Sequence, residues 1–322
     1  MEKTGIYILQ DGGVYYGDLD ENGIPHSSDG SCTWANGTSY VGCWTHGEMS
    51  GIGTLYELGQ VKYRGFWWEG ELIHIFGTEE LPKSEDKLPK NKNKIAALLI
   101  GCNYEDSDKP LSCCVNEVNE IEKKLSQIGV DVVVLRNPSK CEIEMGLDTL
   151  ASKAANHDHA LFYFSGHGII YGGYHLLQGA DGEHLALETN VVGGLYESNF
   201  KNIIIVHDAC NSIAPITKEE IDNLHNQEQM LINNHIHSRN ILYAFSSLNG
   251  NPSFASQEEL GMFALAFIEN IQKKNIPVVK MFDNISRFVL DYSNKTHGCY
   301  LETPNVNKGV FDDDFCFYDP IE

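Results

Sequence analysis

From residue 94 onward, short apolar runs alternate with amphipathic stretches, and this alternation is what most constrains the fold. Ile95-Ala-Ala-Leu-Leu-Ile100 is apolar at every position, the pattern of a strand buried on both faces. Val115, Val118, Ile121, Leu125 and Ile128 then recur at helical spacing, and Gly129 closes the stretch before Val132-Val-Val-Leu135. A second helix is expected over 141–155. Further strands are expected at Ala160–Phe164, Ile203–Val206 and Ile241–Phe245, with helical stretches near 260–273 and 277–292. Such a chain predicts the α/β class, with a mostly parallel central sheet flanked by helices.

In open α/β sheets, chemistry collects beyond the carboxyl ends of the strands. After the third strand comes Ser165-Gly166-His167-Gly168, and after the fourth His207-Asp208-Ala209-Cys210-Asn211-Ser212. Two neighbouring strand ends would deliver one imidazole and one thiol to the same rim, 43 positions apart in the chain. A free thiol, with a pKa of about 8.5, is only slightly ionised at neutral pH. A neighbouring imidazole can take its proton and later return it to a leaving amine. The oxyanion formed on the way needs backbone N–H donors, which Gly168 and Cys210 could supply. A buried structural cysteine and a turn histidine are the alternative, and each would suffice for its residue taken alone. Their joint placement favours a Cys210/His167 dyad.

These motifs resemble those of the caspase-like cysteine peptidases, in particular the metacaspase and paracaspase branch. Ala97–Tyr104 resembles the first strand and its loop, Phe162–Gly168 is similar to the histidine motif, and His207–Asn211 to the D-x-C nucleophile motif. Tyr174–Leu177 followed by Asp181 matches the stretch between them, and Val310–Tyr318 looks like a terminal strand. The likeness spans residues 94–318, and the QACRG motif of animal caspases is absent. The resemblance implies hydrolysis after arginine or lysine. Carried over residue by residue, the substrate pocket would use Asp208, Ser165, Cys114 and Glu117, the last standing where the family has aspartate. A cationic side chain needs carboxylates in a partly desolvated pocket, which fits two acids. Glu117 could instead be a solvated acid near a helix start, and Asp208 a structural hydrogen-bonding group.

Some metacaspases resemble calcium-activated enzymes, but Asp181, Glu183, Glu188 and Glu197 include no adjacent pair of aspartates, so no cofactor and no metal site is expected. His157/His159 and His235/His237 lack cysteine partners at zinc-site spacing. Residues 216–239, polar with Lys218 and Arg239 near the ends, lie where self-cleavage would be chemically feasible; an uncut surface segment is the alternative.

Residues 1–77 read differently. Tyr15-x-Gly17, Tyr40-x-Gly42 and Tyr63-x-Gly65 recur about two dozen residues apart, and aromatic runs between glycine turns predict a β-hairpin array. The fullest copy, Tyr40, Gly42, Trp44, Gly47, Gly51 and Gly53, resembles the MORN repeat, which implies a module for binding protein or lipid. A cap on the next domain is the alternative. Residues 78–93, with two prolines and many charges, read as a linker to a peptidase domain at 94–322.

A formal net charge of −22 argues against nucleic acid as a partner. No apolar run is long enough to span a bilayer, and the N-terminus lacks the pattern of a signal peptide. Nine scattered cysteines without CxxC spacing fit a reducing cytoplasm. The expected function is a cysteine endopeptidase acting on protein substrates after a basic residue, with the repeats recruiting a partner. An inactive caspase-like scaffold, or a module whose main task is lipid binding, is the rival reading.

Overall fold

The computed structural model describes residues 3–77, 90–171, 174–209, 212–213, 241–246, 260–297, 305–308 and 314–321. The chain divides into two compact units, Met1–Pro82 and Lys83–Glu322. Residues 78–89 of the expected linker, and all of 216–239, lie outside the described residues.

The first unit is an antiparallel meander of seven strands in chain order: β1 (Lys3–Ile8), β2 (Val14–Leu19), β3 (Ser27–Thr33), β4 (Thr38–Thr45), β5 (Glu48–Glu57), β6 (Gln60–Trp68) and β7 (Glu71–Gly77). Its last three hairpins turn on two residues each. The β4–β5 turn is His46-Gly47, with φ of 52° and 87°, the pair of positive values that a twist-matched two-residue turn requires.

The repeat pattern becomes a repeated set of contacts. Tyr15 Oη donates to the carbonyl of Asp18, and Tyr40 Oη to that of Cys43. Trp44 Nε1 donates to Gly30 O and Trp67 Nε1 to Gly53 O. The rings meet edge to face in a ladder: Tyr15–Trp44 at 5.1 Å, Tyr40–Trp44 at 5.5 Å and Tyr40–Trp67 at 5.3 Å. Glycine is needed opposite the two tyrosine rings, Gly17 and Gly30 against Tyr15 and Gly42 and Gly53 against Tyr40. A Cβ at Gly53 would lie 2.1 Å from Tyr40 Oη. Gly53→Ala is therefore expected to destabilise this unit by about 1–3 kcal/mol through overpacking. All four tryptophans (Trp34, Trp44, Trp67, Trp68) belong to the first unit, so thermal unfolding of the full chain followed by tryptophan fluorescence reads that loss directly.

The second unit is built on a six-stranded sheet. Strands β8 (Ile95–Gly101), β9 (Asp131–Arg136), β10 (His159–Gly166), β14 (Asn202–Ala209) and β16 (Ile241–Phe245) are parallel, and β17 (Asn305–Lys308) runs antiparallel on one edge, in the order β17-β16-β14-β10-β8-β9. Helices α1 (Cys114–Gln127), α4 (Met262–Ile271) and α5 (Val278–His297) follow their strands, as do α2 (Lys140–Ser152) and the short α3 (Gly193–Tyr196). Strand periodicity divides the core. Ala96, Leu98, Ile100, Phe162, Phe164, Ile203 and Ile205 pack with Ile143, Leu147 and Leu150 of α2. Tyr163, on the opposite face, meets Phe267 of α4. Gly101 is where α1 closes on β8: a Cβ there would sit 2.4 Å from Cys114 O.

Two features depart from the sequence expectation. The edge strand is Asn305–Lys308, whereas residues 314–318 form no strand. Phe315 and Phe317 are buried; the carbonyls of Cys316 and Phe317 accept from the Asn93 and Asn91 side chains, and those of Phe315 and Tyr318 from the Val278 and Asn275 N–H groups, so scattered partners rather than a ladder satisfy that backbone. Residues 310–313 of the expected terminal strand lie outside the described residues. Secondly, a small sheet stands beyond the strand ends: β11 (Gly168–Tyr171), β12 (Tyr174–Gln178), β13 (His184–Ala186) and β15 (Ser212–Ile213).

Among the described residues no helix is long and apolar enough to cross a membrane.

Candidate active site

Strands β10 and β14 pair in parallel up to Ser165↔Asp208 and Gly166↔Ala209. Beyond them β11 and β15 pair in the same sense, with Ile169↔Ser212 and Ile170↔Ile213. The offset between partners is the same on both sides. His167 stands in one segment. Cys210 belongs to the other, and it lies, with Asn211, outside the described residues.

His167 is held on three sides. Its ring stacks on Tyr104, with centroids 4.4 Å apart and planes 28° from parallel. Its main-chain N–H donates to Tyr104 Oη at 3.0 Å, and that hydroxyl donates to Gln178 O at 2.5 Å. Its Nε2 lies 2.6 Å from the carbonyl oxygen of Lys109. A carbonyl only accepts, so Nε2 is the donor in this contact, and the neutral ring with that tautomer has its lone pair on Nδ1. Burial pushes the Tyr104 phenol well above its usual range, which keeps that donor protonated. Gly166 leaves the room that Tyr104 needs, since a Cβ would meet its hydroxyl at 2.8 Å. Gly168 is buried at the start of β11, next to His167.

The expected pocket residues converge on the α1 face of the sheet. Glu117 is 2 % exposed and so is no solvated acid. Its Oε2 accepts from Ser165 Oγ at 2.5 Å and its Oε1 from the Gly261 N–H, just ahead of α4, at 2.6 Å. Asp208, opposite Ser165 in the register, is also buried and accepts from Tyr163 Oη at 2.9 Å. Burial first, and then the nearby Glu117 charge, push the Asp208 carboxyl up to about 7. Cys114 opens α1 one turn before Glu117. The adjacent Cys113 thiol is raised far above the usual range by its hydrogen bond with Cys114, by burial and by Glu117. Neither buried carboxylate forms an ion pair among the described residues. Two acids shielded from water in this way are suited to holding a cation.

His207 points to the other face, next to Phe164, Phe245 and His175. It is fully buried, neither ring nitrogen has a hydrogen-bond partner among the described residues, and burial lowers its pKa to about 3. It stays a neutral part of the core. Asp181 serves the fold as well: its carboxylate accepts from the N–H of Lys140 at the start of α2 and from Glu183 N–H. Glu188 pairs with His175 at 2.7 Å.

Tyr104, Gln178, the Lys109 carbonyl and the Gly261 N–H were not legible as site groups in the sequence. One signal existed for Lys109: Pro110 follows it, restricting its backbone to extended conformations and so limiting where its carbonyl can point.

Comparison with known proteins agrees with the fold of the second unit. The family model described as the caspase domain matches residues 94–310. A curated relative, Metacaspase-1 of Yarrowia lipolytica, is 36 % identical over 87 residues, which is 23 % of this chain and 19 % of that protein's length. The crystal structure of caspase-1 from Spodoptera frugiperda superposes with a TM-score of 0.51 at 15 % identity, covering 73 % of this chain and 93 % of the other. A crystal structure of a Geobacter sulfurreducens protein gives 0.53 at 14 %, covering 71 % and 100 %. Those two likenesses concern the fold. Matched by the family model over residues 94–310 of its 322, the chain belongs to the caspase-domain family of cysteine peptidases.

Proposed function

We propose that this protein is a cysteine endopeptidase that cuts after arginine or lysine, with Cys210 as nucleophile and His167 as base. The observation that carries the dyad is the equal register of Gly166↔Ala209 and Ile169↔Ser212, which brackets His167 and Cys210 between paired residues. His167 Nδ1 takes the thiol proton, with the imidazolium held by the Lys109 carbonyl at Nε2. The thiolate adds to the scissile carbonyl. The resulting oxyanion is received by the backbone N–H groups of Gly168 and Cys210. The same imidazolium then protonates the departing amine. Water, deprotonated by His167 in turn, hydrolyses the thioester.

Specificity for a basic side chain rests on Glu117 and Asp208, with the Ser165 hydroxyl between them and Cys114 alongside. A guanidinium or ammonium group would supply the positive charge that these acids lack among the described residues. We further read residues 1–77 as a MORN-type module that recruits a protein partner or regulator, or a lipid surface, residues 78–93 as a linker and 94–322 as the peptidase domain. The repeated tyrosine and tryptophan hydrogen bonds support the repeat. A reducing, cytoplasmic setting fits the seven described cysteines, all free thiols.

Cleavage-site profiling of the full chain on a peptide library, with and without calcium, tests this reading. Cleavage after Arg or Lys, lost in Cys210→Ala, is expected; an intact library in every condition would favour the scaffold reading. A pH dependence follows from Asp208, which faces Glu117, Tyr163 and Ser165. It is mainly neutral below about 7 and ionised above, and a cation binds the ionised form. A non-cleaved peptide ending in arginine amide should therefore bind about tenfold more tightly at pH 8 than at pH 6. In Asp208→Asn the two affinities should converge.

A further inference from the structure

We propose that Cys113, Cys114 and Glu117 form a binding site for a thiophilic divalent cation, of the zinc or cadmium kind, which competes with the substrate's basic side chain. One ligand atom from each of the three residues lies within 4.8 Å of the others, and all three residues are buried. The cause is the start of α1. Cys113 and Glu117 are four residues apart and Cys114 and Glu117 three, so the three side chains leave the same side of the first turn. Cys113, the N-cap position, makes no side-chain capping bond, and Val115 N–H is capped by Asn103 Oδ1 at 3.0 Å instead. Both sulfurs are thereby spared from the backbone.

The ligand set has the chemistry of a closed-shell, borderline-soft cation. Two thiolates and a carboxylate suit Zn²⁺ or Cd²⁺, whereas Ca²⁺ and Mg²⁺ prefer all-oxygen shells. Bond lengths of about 2.3 Å to sulfur need only a small closure of the cluster. Each Glu117 oxygen accepts one hydrogen bond, from Ser165 and from Gly261, which leaves lone pairs for a metal. Binding is charge-balanced: two thiol protons leave as two metal–thiolate bonds form, the carboxylate is the third ligand, and water completes the tetrahedron. No redox step is involved.

Glu117 and Asp208 are both buried, and neither has an ion pair among the described residues. A dication at Glu117 would occupy the carboxylate that a guanidinium would need. The competition rests on reading Glu117 as a specificity residue; the cation site itself does not.

The test uses the full-length Cys210→Ala protein, reduced and stripped with chelator, so that the dyad thiol cannot contribute. Titration with cadmium chloride should give a sulfur-to-cadmium charge-transfer band that saturates at one equivalent. The band should be lost in Cys113→Ser/Cys114→Ser and retained in Cys141→Ser, an exposed thiol elsewhere. Far-UV circular dichroism checks that each variant is folded. With nine-tenths of the site loaded, an arginine-amide peptide should bind about tenfold more weakly. A band that is absent, or that survives the double substitution, overturns the site. A correct band with unchanged peptide affinity overturns the competition. If the metal-free protein binds no arginyl peptide, the specificity reading fails, and the band alone decides the cation site.

Discussion

His167→Ala lowers kcat/KM on arginyl peptides by about 10⁴-fold or more, and combining it with Cys210→Ala makes the loss little worse. The two groups form one device. Without the imidazole, only the small fraction of thiol ionised in bulk solution can attack, and nothing returns a proton to the leaving amine. Without the thiol, the imidazole has no nucleophile to activate. Single-turnover assays on the two single variants and the double variant measure the coupling. Additive losses would mean that the residues act separately, and the dyad would be wrong. His167→Ala should leave binding of an arginine-amide peptide nearly unchanged, because His167 takes no part in the buried acid cluster. Stability should change little too, since the ring is partly exposed and its firmest polar contact is to one carbonyl.

Glu117→Gln produces the second large effect, on substrate choice rather than on chemistry. The amide oxygen can still accept from the Gly261 N–H, and the amide nitrogen can donate to Ser165 Oγ, so the local frame is kept. What disappears is the charge. A charge-assisted contact to a guanidinium in a desolvated pocket is worth about 1.5–3 kcal/mol. The ratio of kcat/KM for arginyl over uncharged side chains should accordingly fall about 10- to 10²-fold, mainly through KM. Glu117→Ala should cost folding stability as well, by about 1–3 kcal/mol for each partner left unsatisfied. Unfolding in urea separates the two effects. If the Gln variant keeps its preference for arginine, the pocket lies elsewhere and Glu117 is only a structural acceptor.

These two expectations differ in how legible their residues were. His167 and Cys210 follow apolar strands, and strand ends can be read locally because a strand buried on both faces leaves an unbroken apolar run. Their partnership could also be anticipated, as parallel neighbouring strands bring their carboxyl ends to one rim. Glu117 was legible as a position but not as an environment. Its helical spacing is equally compatible with a solvated first-turn acid, and only the packing of β10 and of the segment before α4 shows that it is buried. Tyr104 carried no local signal, because its value lies in a hydroxyl reaching Gln178, far along the chain. Lys109 contributes a carbonyl, which every residue possesses. The edge strand was misplaced because Phe315–Tyr318 alternates like a strand but is anchored by Asn91 and Asn93, more than two hundred residues away.

By itself, then, the sequence determined the parallel α/β core, the hairpin array before it, and the pair of motifs that carry histidine and cysteine. Those follow from periodicity and from chemistry-bearing side chains, both of which are written residue by residue. The tertiary structure alone decided that the His167 imidazole has a committed Nε2 and an available Nδ1. It alone decided that Glu117 and Asp208 share one desolvated face with two thiols beside them. Both depend on which backbone carbonyls, amides and faces meet across long sequence separations, and packing settles such meetings, not local propensity.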